Sequence, residues 1–141
     1  MVTDTISDIL TRIRNATAVN HKTVILPYCF VSRRISEILL QEGFIESIRI
    51  LETSQLILYL KYKNISSYNR LKLTKPQYKI SVIRGLKRIS KPGIRVYVPS
   101  KKIPVMLQGM GVYIISTSQG IMTDKEARFH SLGGELLCSI W

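Results

Sequence analysis

Residues 111–141, GVYIISTSQGIMTDKEARFHSLGGELLCSIW, carry the most regular alternation of structural signals in the chain. Val112, Ile114 and Ile115 form a short β-prone run. Ser116, Thr117 and Ser118 follow directly, then Gly120, a composition that reads as a turn. Thr123-Asp124-Lys125-Glu126 fits a capping box, with Thr123 as N-cap and Glu126 reaching back. Gly133-Gly134 breaks the chain before a final apolar run over 136–141. A hydroxyl both donates and accepts hydrogen bonds. The 2′-OH of RNA has the same double capacity and lies open in the wide minor groove. Gly120 allows close backbone approach or a positive φ. The turn is therefore a candidate contact surface as well as a candidate strand connection.

The charge distribution supports that reading. The chain has 141 residues and a formal net charge of +12. No Asp or Glu occurs between Thr53 and Thr123, where 13 Lys and Arg residues lie; the remainder of the chain sums to −1. Solubility does not require carboxylates to be excluded from half of a chain, so this asymmetry points to a polyanionic partner. A membrane surface is the other polyanion, but the basic stretch is interleaved with β-branched residues and prolines rather than forming a basic amphipathic helix. No apolar run reaches the roughly 18 residues of a membrane span. Nucleic acid is the expected partner, with no membrane and no small-molecule substrate. The 45% hydrophobic content is enough for a buried core and excludes a disordered polyelectrolyte.

Working towards the N-terminus, Thr3 is the expected cap of a first helix whose apolar stripe is Ile6, Ile9, Leu10 and Ile13. Val24-Ile25-Leu26 is a short strand stopped by Pro27. A second helix is expected from Cys29 to Glu42, with Gly43 as its left-handed terminator. Residues 44–51 and 56–62 read as two strands of a hairpin. The expected fold class is α+β: an N-terminal α-β-α-β-β unit over 1–63, packed on a mostly β C-terminal unit over 78–141 with two short helices. Between them, 64–77 is a basic linker or extended hairpin loop carrying Pro76. In the second unit, 80–83 and 94–98 are expected strands around the turn Ser90-Lys91-Pro92-Gly93, and Pro104 is expected to open a short helix.

Lys91-Pro92-Gly93 with Arg95 and Tyr97 combines a cationic turn with an aromatic, which suits phosphate neutralisation and base stacking, or else is a plain β-turn with solvated Lys. Arg12 and Arg14 are candidates for phosphate contacts or for complementing the helix dipole; they point to different helix faces. Glu135 is an acid among apolar neighbours, placed to accept a hydrogen bond from a base or from the hydroxyl turn. Ser116, Asp124 and His130 show no nucleophile-elbow pattern, and Gly109-Met110-Gly111 lacks both P-loop Lys and Rossmann spacing, so no enzyme activity and no cofactor are expected. Cys29, Cys138, His21 and His130 lack metal-ligand spacing.

The string Ser116-Thr117-Ser118, Gly120, Met122-Thr123-Asp124, Glu126-Ala127-Arg128, Gly133-Gly134-Glu135 resembles the C-terminal signature of the eighth-protein family of the bacterial- and plastid-type small ribosomal subunit. LTRIRNA at 10–16, EGFIE at 42–46 and RISKPGIRVY at 88–97 extend the resemblance over nearly the whole chain. It implies direct binding to the central domain of small-subunit rRNA, early in assembly of the platform, with neighbouring small-subunit proteins as further partners. The RNA-binding residues expected from motif and resemblance together are Ser116, Thr117, Ser118, Gly120, Lys91, Pro92, Gly93, Arg95, Tyr97, Glu135 and Arg12. Tyr28-Cys29-Phe30 and Phe129-His130-Ser131 depart from common family sequences. The composition, rich in Ile, Lys, Asn and Tyr, and the closing Cys-Ser-Ile-Trp favour a chloroplast ribosome, with a bacterial cytoplasm as the alternative. A free-standing RNA-binding regulator is the rival function.

Overall fold

Helix α1 (Thr5–Ala18) starts at Asp4, whose carboxylate accepts hydrogen bonds from the backbone N–H and the hydroxyl of Ser7. A computed structural model describes residues 4–52, 54–66, 77–105 and 110–141 of the chain, so the expected cap, Thr3, lies outside the described residues. Ile9, Leu10, Ile13 and Ala16 form the buried stripe of α1, as their spacing requires. Strand β1 (Thr23–Pro27) alternates exposed and buried residues. Helix α2 (Phe30–Gln41) is capped by Cys29: its Sγ accepts from the Ser32 N–H while the Ser32 hydroxyl accepts from the Cys29 N–H. The helix ends in a Schellman motif. Phe44 N–H reaches the Leu39 carbonyl, Gly43 N–H reaches Leu40, and Gly43 sits at φ +77°. Strands β2 (Ile45–Leu51) and β3 (Gln55–Leu60) form the expected hairpin, and β3 takes the centre of a sheet ordered β1-β3-β2.

Strand β4 (Tyr62–Ser66) pairs antiparallel with β5 (Gln77–Ser81) in a separate ladder. The segment read as a linker or hairpin loop, 64–77, thus begins and ends within this ladder, and its middle, 67–76, lies outside the described residues.

Residues 86–141 follow the sequence reading less closely. Their strands are β6 (Leu86–Arg88), β7 (Tyr97–Val98), β8 (Val112–Thr117), β9 (Gly120–Thr123) and β10 (Gly134–Ile140), with helix α3 (Asp124–Phe129) between the last two. They form one sheet in the order β6-β10-β8-β9, with β7 also paired to β10. Residues 80 and 81 belong to β5, so the strand entering the Lys-Pro-Gly turn is β6 rather than 80–83. The helical turn expected from Pro104 lies earlier, as a 3₁₀ turn at Ser100–Lys102; Met106 and Leu107 are outside the described residues. Thr123 caps α3 as expected, accepting from the Glu126 N–H at 3.2 Å. Glu126 does not close the box. Its carboxylate lies 4.0 Å from Arg34 on α2. Among the described residues, three α-helices and several small sheets give the expected α+β class.

One apolar cluster runs from the N-terminal elements into the C-terminal sheet, joining Ile9, Ile13, Ile35 and Leu58 to Leu86, Ile114, Leu137 and Ile140. Truncating such a residue to Ala costs about 2–5 kcal/mol. A smaller cluster, Ile103, Ile115, Met122, Ala127 and Leu136, lies where α3 covers the sheet. Three arginines stitch the halves together at the rim of the large core. Arg14 donates to the Leu86 carbonyl at 2.6 Å and Arg34 to the Ile121 carbonyl at 2.8 Å. Arg88 donates to Asp4 and to the Leu137 carbonyl.

The Asp4–Arg88 pair is mostly shielded, with the side chains 18% and 9% exposed. Burial acts to raise the Asp4 pKa, but the hydrogen bonds from Ser7 and Arg88 and the Arg88 charge outweigh it, and the net shift is downward from 3.8. A depressed carboxylate pKa stabilises the fold at pH values above 3.8 and loses that contribution as acid protonates the group. Asp4→Asn is therefore expected to cost about 1.5–3 kcal/mol near neutrality. The penalty should shrink as pH is lowered towards about 3. Urea midpoints of both proteins across that range check this, and a penalty independent of pH contradicts it.

Candidate nucleic-acid interface

Strand pairing brings most of the expected contact residues to one end of the C-terminal sheet. Tyr97 on β7, Glu135 on β10 and Ser116 on β8 are direct register partners, so they form one cross-strand row on one face. The next row is Val98, Gly134, Thr117 and Gly120. Gly134 is required there, because a Cβ would collide with the Ser116 carbonyl. Ser116 is half-buried, Ser118 is exposed and Tyr97 is 69% exposed.

The triple-hydroxyl turn is not one turn. Ser116 and Thr117 are the last residues of β8, and Ser118-Gln119 alone makes the two-residue connection to Gly120, which sits at φ +112°. Thr is at home in strands, and here the ladder to β9 overrides the turn preference of the serines. The three hydroxyls differ in consequence. Thr117 Oγ1 donates to the Gly120 carbonyl at 2.8 Å and accepts from the Gln119 N–H at 3.2 Å, so it holds the turn together. The Ser116 and Ser118 hydroxyls have no hydrogen-bond partner among the described residues.

On the other side of β10, Lys91-Pro92-Gly93 is an exposed turn closed by reciprocal backbone bonds between Lys91 and Ile94. Ser90, fully buried, ties this turn to the row: its hydroxyl donates to Glu135 Oε1 at 2.6 Å and accepts from the Val96 N–H. Arg95 Nη1 donates to the same carboxylate oxygen at 2.9 Å. Burial acts to raise the Glu135 pKa, but the bonds from Ser90 and Arg95 and the charges of Arg95 and Arg88 prevail, and the shift is downward. Glu135 is thus an ionised acceptor. Oε1 is engaged twice, while Oε2 has no partner among the described residues.

Arg12 lies elsewhere. It is paired with Asp8 at 3.0 Å and reaches the Ile25 carbonyl of β1, away from the sheet end. Ser90 and Ile94 were not anticipated in the site. Ile94 is 72% exposed beside the Lys-Pro-Gly turn. Nothing local marks Ser90, since its partner Glu135 is 45 residues distant in sequence.

The described residues hold no cluster of three or more His, Cys, Asp or Glu side chains suited to a metal ion. Cys138 is fully buried, which pushes its thiol up to about 12. No described helix is long and apolar enough to cross a membrane.

Comparison with known proteins agrees along the full length. The family model for ribosomal protein S8 matches residues 4–141. The small ribosomal subunit protein uS8c of Oltmannsiellopsis viridis is 50% identical over 141 residues, covering 100% of both chains. The uS8c of Chlorella vulgaris is 50% identical over 143 residues, again 100% of both. The uS8 of a Synechocystis species is 51% identical over 144 residues, 99% of this chain and 98% of that one. With the family model matching residues 4–141 and relatives about 50% identical over the whole length, this chain belongs to the ribosomal protein S8 family.

Proposed function

We propose that the protein binds small-subunit rRNA directly, in its central domain, through the end of the C-terminal sheet around Glu135, and so helps organise the platform during assembly. Family membership makes it a structural component of the small ribosomal subunit and not an enzyme. Its similarity to the uS8c proteins of Oltmannsiellopsis viridis, Tetradesmus obliquus and Chlorella vulgaris supports a place in the plastid ribosome. The observation that supports the finer reading is the row Tyr97–Glu135–Ser116, flanked by the Lys91 turn on one side and the Ser118 turn on the other. It offers an exposed aromatic for stacking, two unpartnered hydroxyls and a carboxylate oxygen for 2′-OH groups or base edges, and lysines for phosphates.

The roles divide by chemistry. Lys91, Lys101 and Lys102 are exposed and neutralise phosphates, releasing counterions. Pro92 and Gly93 shape the turn that presents Lys91. Arg95 contributes positive charge while holding Glu135 in place. Thr117 and Gly120 hold the hairpin in its shape. Arg12 supplies a separate phosphate contact on the N-terminal unit, in exchange with Asp8. Neighbouring small-subunit proteins occupy the near-neutral surface of that unit.

Purified protein should bind a central-domain rRNA fragment far more tightly than an unrelated duplex of equal length. If about six phosphates are neutralised, log K should fall against log salt with a slope of roughly −4 to −5. Equal affinity for both RNAs would sink the specific reading.

Single substitutions separate recognition from architecture. Ser116→Ala and Ser118→Ala should each weaken fragment binding by about 1 kcal/mol, roughly fivefold, with thermal stability and salt slope unchanged. Thr117→Ala should instead lower stability, because its hydroxyl closes the turn. The opposite pattern, stability lost at the serines and affinity intact, would assign the hydroxyls to architecture alone.

A further inference from the structure

Helix α3 covers only part of its face of the C-terminal sheet. Its Ala127 packs with Ile115, Met122 and Leu136. One row further along the same face, Tyr113, Ser139 and Lys87 are register partners. Here the sheet opens into a cleft of about 620 Å³, bordered by Trp141 and by Lys91 from the Lys-Pro-Gly turn. That volume lies within the roughly 300–1,000 Å³ typical of ligand sites. Strand parity puts this cleft on the face opposite to Ser116 and Glu135.

Backbone hydrogen bonds fix the main chain of Trp141, and its ring packs over Gly85. The Arg84 and Gly85 N–H groups donate to the Trp141 carbonyl, and Trp141 N–H donates to Gly85, at 2.7, 2.9 and 3.1 Å. The indole lies so close over Gly85 that a Cβ there would overlap the ring. It is an aromatic wall, and only part of its surface is buried. Beyond it, Arg14 and Arg84 line a second, smaller cleft of about 180 Å³.

The charged side chains that line the large cleft have one sign. Lys87 and Lys91 are exposed, and no Asp or Glu lines it. Arg88 also borders it, but its guanidinium is committed to Asp4 and to the Leu137 carbonyl. Cations alone would suit any polyanion. An indole next to a tyrosine adds a surface for a base, which an acidic peptide does not need.

We propose that this cleft is a second RNA site, taking an unpaired nucleotide with its base against Trp141 and Tyr113 and its phosphate on Lys87 and Lys91. The proposal rests on RNA being the partner of this protein, and it makes the C-terminal sheet a two-faced binder. One face reads a helix at the Ser116–Glu135 row, and the other retains an adjoining single-stranded nucleotide. Lys91, at the turn between them, serves both.

Trp141 is the single tryptophan of the chain and borders both clefts, so its fluorescence reports on this ring, and Lys87, which lines only the large cleft, separates the two. The intact protein is titrated with a short oligoadenylate. Saturable quenching is expected, and Lys87→Glu should weaken it roughly tenfold and flatten its salt dependence by about one unit. Lys87→Ser should lose less, and Arg33→Glu, the same charge change on α2, should leave the quenching as it was. Circular dichroism establishes that each variant is folded. Oligoadenylate binding without quenching, quenching unaltered by Lys87→Glu, or equal quenching by oligoglutamate would each overturn the proposal, the last by making the cleft a dock for acidic protein segments. Discrimination between the central-domain fragment and an unrelated duplex is measured on the same preparation. Its loss with oligoadenylate quenching intact removes the specific-rRNA reading only, and the converse removes the cleft only.

Discussion

Strand β10 is hydrogen-bonded along both edges, to β8 on one side and to β6 and β7 on the other, and its last five residues are buried. Strands β6, β7 and β8 of the C-terminal sheet take their positions from this strand. A register shift between Leu136 and Cys138 inserts one extra residue on β10. Without it, Glu135 would share a face with Ser139. With it, Glu135 shares a face with Cys138 and Ile140, the residues that enter the large core. The bulge therefore joins two tasks in one strand. One end of that face is core, and the other end presents the carboxylate. Arg88, register partner of Cys138, adds its field to Glu135 while it grips Asp4 and the Leu137 carbonyl at the irregularity.

The basic residues divide by type. Arg14, Arg34 and Arg88 point inward to backbone carbonyls at the seam between the halves. A guanidinium has five donors in a fixed fork and stays charged, so one side chain can satisfy a carbonyl and a carboxylate together. The lysines described at 87, 91, 101 and 102 are exposed. A flexible ammonium suits a phosphate as a point charge and needs no fixed geometry. Part of the +12 net charge is thus architecture, and the lysines carry most of what remains for a polyanion.

The N-terminal unit was legible because its signals are local. Apolar stripes of three or four turns, and Gly43 after the second, mark α1 and α2 directly. The second unit resisted where its elements are too short to show a period: β6 has three residues and β7 two. Strand β9 hid behind serines and a glycine that read as turn. The candidate site was legible as a set of residues but not as an arrangement. Tyr97, Ser116 and Glu135 meet through non-local strand register, which no short-range pattern encodes. Ser90 shows the same limit, since its role is defined by a partner far along the chain. The first unit's helices and the second unit's sheet also share one core, with α1 against β6 and α2 against β9.

Glu135 at a surface built for a polyanion needs a physical account. A bare carboxylate there would repel phosphate. Strand register sets Glu135 beside Tyr97 and Ser116, both from the stretch 53–123 that holds no Asp or Glu. Arg95 and Ser90 both engage Oε1, and the charges of Arg95 and Arg88 keep the group ionised. The local charge is largely cancelled by these cations, so the long-range repulsion is small. What remains outward is an oxygen lone pair on a side chain held in place by two hydrogen bonds. A neutral acceptor such as Gln would give a weaker bond, since hydrogen bonds to an ionised acceptor are roughly twice as strong. It would also replace the Arg95 ion pair by a hydrogen bond from the guanidinium to a neutral oxygen. The carboxylate therefore tolerates the phosphate environment for the same reason that it holds the surface in shape: its charge is already answered from within the fold.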